Sequence, residues 1–159
     1  MIHLDEEGFS TPVPLRSLPN RCPDVQSDSG IYCVVSAEPK PTFTEESLGG
    51  WFKGRNPSVE IDLLEAKWVD GEPILYIGKA NSLRKRIDQF ARFGRGEPIG
   101  HWGGRYLWQL ADPDSLPITW KIVPDPGNAE ADFVSDFVER HGVLPFANLN
   151  RPHRKGTEK

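Results

Sequence analysis

Positive charge follows directly behind a tyrosine-containing strand in the stretch ILYIGKANSLRKRI (74–87). The apolar run that includes Tyr76 predicts a buried strand, and a helix carrying Arg84, Lys85 and Arg86 is predicted to begin a few residues later. The chain as a whole is acidic, with a formal net charge of −4, so a cationic cluster at one point indicates an anionic ligand. We expect that ligand to be the phosphate of a nucleic acid.

The distribution of charge along the chain supports the same interpretation. Residues 79–105 contain seven basic and two acidic residues, a net charge of +5, and the tail 151–159 has a net charge of +3. Affinity for phosphates depends on a local basic face, even in a protein that is acidic elsewhere. Ordinary solvated helix charges are the alternative interpretation. The cations expected to contact nucleic acid are Lys79, Arg84, Lys85 and Arg105.

Two charged residues are out of place on the helices that are predicted to carry them. On the first helix, Leu83, Ile87 and Phe90 form an apolar stripe, and Arg86 falls at its margin, where its guanidinium can enter a cleft. On the second helix, Glu130 falls within the apolar face, where a carboxylate is costly unless a cation meets it. We expect a metal ion or an arginine there. A first-turn charge that complements the helix dipole is the alternative.

Length and composition indicate one soluble domain with its own core. The 159 residues are 37% hydrophobic and 26% charged, which is ordinary for such a domain. We see no signal peptide and no apolar stretch of the roughly 20 residues needed to span a membrane. Cys22 and Cys33 form neither a metal-binding pattern nor a disulfide framework. The expectation is therefore a cytoplasmic protein without membrane contacts.

Glycine, proline and capping residues divide the chain into strands and helices. The expected elements are strands at 30–36 and 118–124, a β-hairpin across Asp70-Gly71, and helices at 82–93 and 128–141, the second capped by Asn128. Residues 59–66 suit either a strand or a helix. Strands followed by a helix, a strand and a helix predict a small α+β domain with an antiparallel sheet.

Motifs in these elements resemble the GIY-YIG nuclease superfamily. The tripeptides GIY (30–32) and YIG (76–78) match the two motifs after which the superfamily is named. Arg86 lies ten positions after the second tyrosine, as the superfamily's arginine does. Glu130 in EADFV and Asn148 in PFAN match its metal-binding glutamate and its closing Pro-x-x-Asn. The resemblance spans residues 29 to 148, and the motifs occur in the superfamily's order.

The resemblance implies a fold and a domain layout. The fold is α+β, a small central three-stranded antiparallel sheet flanked by helices, with an insertion between the two motif strands. The nuclease-like domain would span 29–150, preceded by an irregular arm (1–28) and followed by a basic tail (151–159).

The resemblance also implies one-metal phosphodiester hydrolysis with Mg²⁺ or Mn²⁺. By similarity, Tyr32 would deprotonate or orient the attacking water, and Tyr76 would bind the nucleophile or the phosphate. Arg86 would neutralise the negative charge of the transition state. Glu130 would hold the metal, and Asn148 would support the structure of the site. These residue types suit the reaction, which needs a positioned water, a base and fixed positive charge. One carboxylate can hold Mg²⁺, because that ion keeps several waters. Half-buried strand aromatics are the alternative interpretation of both tyrosines.

The sequence departs from the superfamily pattern in two places. Four residues after the arginine, where the superfamily has a His or Tyr that assists the base, this chain has Phe90. The expected substitute is His101, in the glycine-rich loop after the helix, and a structural histidine in a tight loop is the alternative. An added turn before PFAN leaves Asn150 as a rival to Asn148.

The spacing of the two tyrosine motifs indicates an insertion. Tyr76 lies 44 positions after Tyr32, where the shortest members of the superfamily have only a tight hairpin. Residues from about 38 to 68 are therefore the predicted insertion. Within it, Trp51, Lys53 and Arg55 could contact substrate or a partner.

The function expected from these features is a metal-dependent endonuclease that cleaves DNA, with RNA as the other substrate. Because Phe90 replaces the usual His or Tyr, an inactive nucleic-acid-binding or regulatory interaction module of the same fold is the alternative. A single basic face without a separate reader domain favours low sequence specificity, or a protein partner that supplies it.

Overall fold

The computed structural model describes residues 4–18, 24–36 and 40–153. Cys22, positions 38 and 39 of the predicted insertion, and positions 154–159 of the basic tail lie outside the described residues. In the described part, Cys33 is buried and its thiol is free. Helices long and apolar enough to cross a membrane are not found among these residues.

The described residues form an α+β structure, which confirms the predicted class. The strands are β1 (Val13–Pro14), β2 (Gly30–Val35), β3 (Ile74–Ala80) and β4 (Pro117–Ile122). The α-helices are α1 (Ile61–Lys67), α2 (Leu83–Gly94) and α3 (Pro126–His141). Short 3-10 helices occupy Leu15–Ser17, Arg105–Gln109 and Pro113–Ser115.

The sheet has four strands, so the prediction of three was wrong. Its order is β1-β4-β2-β3, and each neighbouring pair is antiparallel. The additional strand comes from the N-terminal arm, where Val13 pairs with Ile118 and Pro14 with Pro117. Proline is tolerated there because an edge strand has one side without a partner strand. The prolines of the arm led to a prediction of irregular structure, so the pairing of β1 with β4 was not predicted.

The predicted hairpin across Asp70-Gly71 was also wrong. Gly71 does adopt a positive φ of 75°, but the turn leads from α1 into β3 rather than joining two paired strands. β3 pairs with β2 instead, with Tyr32 opposite Gly78. A turn signal is local and does not specify which element precedes it. The ambiguity at residues 59–66 is resolved as the helix α1, which begins at Ile61.

The helix that follows β3 has the predicted position. α2 begins after Ser82, whose Oγ accepts a hydrogen bond from the backbone N of Lys85 at 3.4 Å, and it ends at Gly94. α3 ends before Gly142, as predicted. The predicted cap of α3 was wrong, because Asp125 caps the helix and Asn128 lies in its first turn. Because the φ of Pro126 suits the first helical position, the helix begins at Pro126, before the predicted cap Asn128.

β2 and β3 are buried because both faces of the sheet are covered. Successive side chains of a strand point to opposite faces. Tyr32 and Val34 belong to the core that contains α2, whereas Ile31 and Cys33 belong to the core that contains α3. The five residues Gly30–Val34 are consequently buried without a break.

The side chain of Asn148 forms two hydrogen bonds to the outer edge of β3. Its Oδ1 accepts a hydrogen bond from the backbone N of Ile77 at 3.0 Å, and its Nδ2 donates to the backbone O of Ile77 at 2.9 Å. The outermost strand of a sheet has backbone groups that lack a strand partner. The buried amide of Asn148 supplies that partner beside the tyrosine motif.

We expect Asn148→Ala to lower the free energy of unfolding by about 2 kcal/mol, because the backbone N–H and C=O of Ile77 lose their partner. Urea denaturation followed by circular dichroism measures this change. Asn150→Ala is the matched control, since Asn150 is exposed, and it should change stability by less than about 0.5 kcal/mol. Equal changes in the free energy of unfolding for the two substitutions would contradict a stabilising role of these two hydrogen bonds.

Candidate active site

Two tyrosines meet above a glycine on the α2 face of the sheet. Tyr32 lies opposite Gly78 in the β2–β3 register, and Tyr76 lies two residues before that glycine. A Cβ atom at Gly78 would stand 2.4 Å from Cζ and 2.6 Å from the hydroxyl oxygen of Tyr32. The missing side chain therefore makes room for the Tyr32 ring. The ring centroids of Tyr32 and Tyr76 are 6.0 Å apart.

His101 makes a buried hydrogen bond to the first of these tyrosines. Its Nε2 lies 2.9 Å from the hydroxyl of Tyr32, and its Nδ1 lies 2.9 Å from the carbonyl oxygen of Gly103. A carbonyl only accepts, so Nδ1 carries the proton. In the neutral ring, Nε2 is then the acceptor and the Tyr32 hydroxyl is the donor.

The surroundings hold the His101 imidazole in its neutral form. The side chain is fully buried. Burial first, and the positive charge of Arg86 second, lower the pKa of His101 from 6.5 to about 3. Near neutral pH, the imidazole is therefore a hydrogen-bond acceptor directed at Tyr32.

Burial also keeps both tyrosines protonated. It raises the pKa of Tyr32 well above 10, with Tyr76 adding to the shift and the charge of Arg86 opposing it. Burial likewise raises the pKa of Tyr76 to about 12, while the charge of Arg86 opposes this shift and the charge of Glu130 adds to it. A free phenolate is thus not available at neutral pH. A proton can leave Tyr32 only to an adjacent acceptor, and His101 is placed as that acceptor.

Phe90 forms the apolar wall of this cluster. Its ring is fully buried, stacks on Tyr76 at a centroid distance of 6.0 Å, and lies 4.8 Å from the His101 ring. The His101 imidazole thus comes from the loop after α2, whereas α2 itself contributes the Phe90 ring that packs against it. His101, the residue expected to substitute for the usual His or Tyr, thus packs against Phe90.

Arg86 directs its guanidinium toward the same cluster. The side chain is half-buried, and Nη1 donates to Oε1 of Gln89 at 3.1 Å and to the carbonyl oxygen of Gly100 at 3.3 Å. Among the described residues, it forms no ion pair with a carboxylate. Its positive charge therefore remains available to an anion. Sequence reasoning missed Gln89, although its i+3 spacing from Arg86 was a usable signal.

Glu130 lies on α3 in a largely buried position. Its side chain is 13% exposed, and the nearest cation is Nζ of Lys79 at 4.0 Å. Burial raises the pKa of its carboxyl, and the charge of Lys79 opposes that shift. Because α3 begins at Pro126 and has no acidic residue in its first turn, the alternative of a first-turn dipole charge was wrong. The partner found is a lysine at long range, which the sequence reasoning did not pair with Glu130.

The donor set at Glu130 fits a hydrated divalent ion. No group of three or more His, Cys, Asp and Glu side chains that could hold a metal occurs in the described ranges. Within the same ranges, the Glu130 carboxylate accepts no hydrogen bond. Mg²⁺ needs few protein ligands, because it retains waters and takes further oxygens from a phosphate substrate. A single carboxylate that lacks a close partner suits that mode of binding.

The four predicted nucleic-acid contacts have different surroundings. Lys79 is exposed near Glu130, and Lys85 lies on the exposed side of α2. Nε of Arg84 donates to the backbone O of Val25 at 2.8 Å, so this side chain binds the segment that precedes β2. Arg105 begins a 3-10 helix, and its guanidinium carbon lies 4.7 Å from the ring centroid of Trp102, the residue after His101.

Comparisons with protein-family models, with curated proteins and with solved structures found no match to this chain. The geometry described above therefore carries the inference of function. It consists of a buried tyrosine–histidine hydrogen bond, a guanidinium with no carboxylate partner among the described residues, and a carboxylate whose nearest cation there is Lys79 at 4.0 Å. Such an arrangement can accept a proton, bind a phosphate and hold a metal ion.

We expect Gly78→Ala to destabilise the protein by about 1–3 kcal/mol, because the new methyl group must displace the Tyr32 ring. Thermal unfolding measures the change. The matched control is Gly127→Ala in the first turn of α3, where a Cβ atom would meet only the flexible Nζ of Lys79 at 3.9 Å. A control that destabilises as strongly as Gly78→Ala would contradict the steric explanation.

His101 should make stability depend on pH. The neutral imidazole contributes fully above the ordinary His pKa of 6.5, and this contribution is lost as pH falls toward the folded-state value of about 3. Relative to His101→Gln, the parent protein should lose up to about 1.4 kcal/mol per pH unit in that window. Urea denaturation from about pH 8 to about pH 4 measures the difference. Parallel pH profiles of the two proteins would show that His101 is not buried in its neutral form.

Proposed function

We propose that this chain is a GIY-YIG-type endonuclease that hydrolyses phosphodiester bonds of DNA with one divalent metal ion, with RNA as the other candidate substrate. The observation that carries the proposal is the buried hydrogen bond from the Tyr32 hydroxyl to Nε2 of His101, 2.9 Å long. A buried tyrosine hydroxyl needs some acceptor. What favours catalysis is that this acceptor is a neutral imidazole near the Arg86 guanidinium, which forms no ion pair with a carboxylate among the described residues.

The arrangement of the motifs supports the GIY-YIG fold. The two tyrosine strands, β2 and β3, pair with each other, and the arginine helix α2 follows the second of them. Glu130 lies on the next helix, and Asn148 binds the backbone of β3. β1 is then an addition to the three-stranded sheet of the superfamily. In this proposal Asn148 is a positioning residue, because both its amide oxygen and its amide nitrogen bind the backbone of β3.

Water is activated by Tyr32 and His101 together. The oxygen of Tyr32 accepts a hydrogen bond from the attacking water, while its own proton faces Nε2 of His101. As the water attacks phosphorus, its proton passes to Tyr32 and the tyrosine proton passes to the imidazole. The low pKa of His101 opposes this transfer, and the charge of Arg86 is its second cause. A bound phosphate offsets that charge, so substrate itself makes His101 a better base.

Arg86 and Tyr76 act on the phosphate. The guanidinium of Arg86, held by Gln89 and the carbonyl of Gly100, stabilises the negative charge that grows on the phosphoryl oxygens. The Tyr76 hydroxyl, which stays protonated, donates a hydrogen bond to a phosphate oxygen or holds the nucleophile. Both groups are fixed before substrate binds, so little reorganisation is needed during the reaction.

Glu130 would hold the metal ion. When bound, Mg²⁺ or Mn²⁺ supplies positive charge at the oxygen that leaves. The carboxylate would hold the ion near the phosphate, and the charge of the ion would favour the ionised form of this carboxyl, whose pKa burial raises. Lys79 adds positive charge near the same carboxylate and can contact the nucleic-acid backbone.

We expect purified protein to nick supercoiled plasmid with Mg²⁺ or Mn²⁺ and not with EDTA. Arg86→Ala and Glu130→Gln should lower the single-turnover rate by a factor of about 100 or more, because each removes fixed charge used in the transition state. Arg16→Ala and Glu139→Gln, at exposed positions away from the cluster, are the matched controls and should retain the parent rate. Gel electrophoresis of the plasmid forms measures all five proteins.

The other outcomes separate the alternatives. Absence of nicking by the parent, together with salt-sensitive DNA binding, would contradict the endonuclease and identify a nucleic-acid-binding module. Absence of both would favour a protein-interaction role. Equal nicking by the parent and both site variants would mean that the activity does not come from this site.

A further inference from the structure

The insertion between the tyrosine motifs contains a tight hairpin. Phe52 and Arg55 exchange two backbone hydrogen bonds, of 3.3 and 3.0 Å. The two residues between them, Lys53 and Gly54, have φ values of 53° and 74°. A lysine in the left-handed region is uncommon and costs about 1 kcal/mol or more. This turn therefore holds a cation at its tip, where asparagine or glycine would be the more stable choice.

The hairpin is held against the candidate active site. The backbone N of Gly50 donates to the carbonyl oxygen of Phe93 at 2.9 Å, and a Cβ atom at Gly50 would stand 1.9 Å from the carbonyl oxygen of Glu97. Only glycine allows this approach to the end of α2. A Cβ atom at Gly100 would stand 3.2 Å from the Phe52 ring. Gly100 is the residue whose carbonyl accepts a hydrogen bond from the catalytic-site arginine.

Two guanidiniums converge on one tryptophan beside the hairpin. The guanidinium carbons of Arg55 and Arg105 lie 5.1 and 4.7 Å from the ring centroid of Trp102. Neither arginine forms an ion pair with a carboxylate in the part of the chain that the structure describes. Their mutual repulsion contributes, after burial, to lowering the pKa of Arg105. An anion bound near both guanidiniums would offset that repulsion and match their donors.

Trp51 directly precedes the hairpin that carries Lys53 and Arg55, and it offers an exposed aromatic face. Its side chain is 58% exposed, which is unusual for a residue of this size. An exposed indole beside basic residues is the arrangement with which proteins stack bases of single strands. Bases inside a duplex are stacked on each other, so only an unpaired base can use this surface.

We propose that Trp51, Arg55 and Arg105 bind an unpaired nucleotide that flanks the cleaved phosphate, so that the preferred substrate is a nucleic acid with a single-stranded flank. The base stacks on Trp51, and Arg55 and Arg105 bind the backbone phosphate. This inference rests on the proposed nuclease function and adds the class of substrate to it.

Binding of two labelled DNAs tests the inference. One is a blunt duplex and the other is the same duplex with a single-stranded flank, and fluorescence anisotropy is measured in EDTA so that no cleavage occurs. The parent should bind the flanked DNA about tenfold more tightly than the blunt one. Trp51→Ala should abolish that preference, and Trp51→Phe should retain most of it because the phenyl ring still stacks.

The arginines are tested by the salt dependence of the same binding. Arg55→Gln with Arg105→Gln should reduce the slope of log affinity against log salt by about two for the flanked DNA. Lys67→Gln, an exposed cation on α1 in the same insertion, is the matched control and should leave preference and slope unchanged.

The results distinguish this inference from the proposed function. Retention of the parent preference by Trp51→Ala, or equal affinity of the parent for both DNAs, would overturn the inference and leave the nuclease proposal intact. A preference that requires Trp51, in a protein that does not nick DNA with metal, would support the inference and contradict the nuclease. Absence of binding to either DNA would overturn both.

Discussion

The hydrogen bond between Tyr32 and His101 is the contact on which the candidate site depends. It exists because the β2–β3 register places a glycine, Gly78, under the tyrosine ring. It also requires the carbonyl of Gly103, which fixes the proton on Nδ1 and leaves Nε2 as an acceptor. The sheet register and the loop conformation thus jointly determine the protonation state of one imidazole. Without either, the Tyr32 hydroxyl would lose this acceptor.

Burial divides the site into neutral and charged parts. Tyr32, Tyr76 and His101 are kept neutral because charging any of them inside the core is costly. Arg86 and Glu130 lie nearer the surface and keep groups that no close opposite charge satisfies. Such a site is poorly suited to stabilising the fold, since partly buried charges with a distant partner, as in Glu130, or with no carboxylate partner among the described residues, as in Arg86, cost free energy. A phosphate and a metal ion would satisfy both groups at once, which is why the arrangement favours binding over a structural role.

Local signals in the sequence predicted the helices and strands, whereas strand pairing and the contacts of the site residues depend on non-local packing. The run GIYCVV and the helix after Ser82 were predictable because periodicity and capping act within a few residues. The pairing of Val13 with Ile118 was not predictable, since no local pattern specifies a partner more than a hundred positions away. His101 could be nominated from its glycine-rich loop, but its bond to Tyr32 depends on how that loop packs on Phe90. The Lys79–Glu130 pair depends likewise on how α3 packs against β3.

The central claim is that the His101 imidazole takes the proton that Tyr32 releases during phosphodiester hydrolysis. The most direct measurement is single-turnover DNA cleavage by His101→Ala with and without added imidazole. This account predicts cleavage slower than that of the parent by a factor of about 100 or more, with partial recovery when imidazole enters the vacated space. Cleavage by His101→Ala at the parent rate, without imidazole, would contradict it.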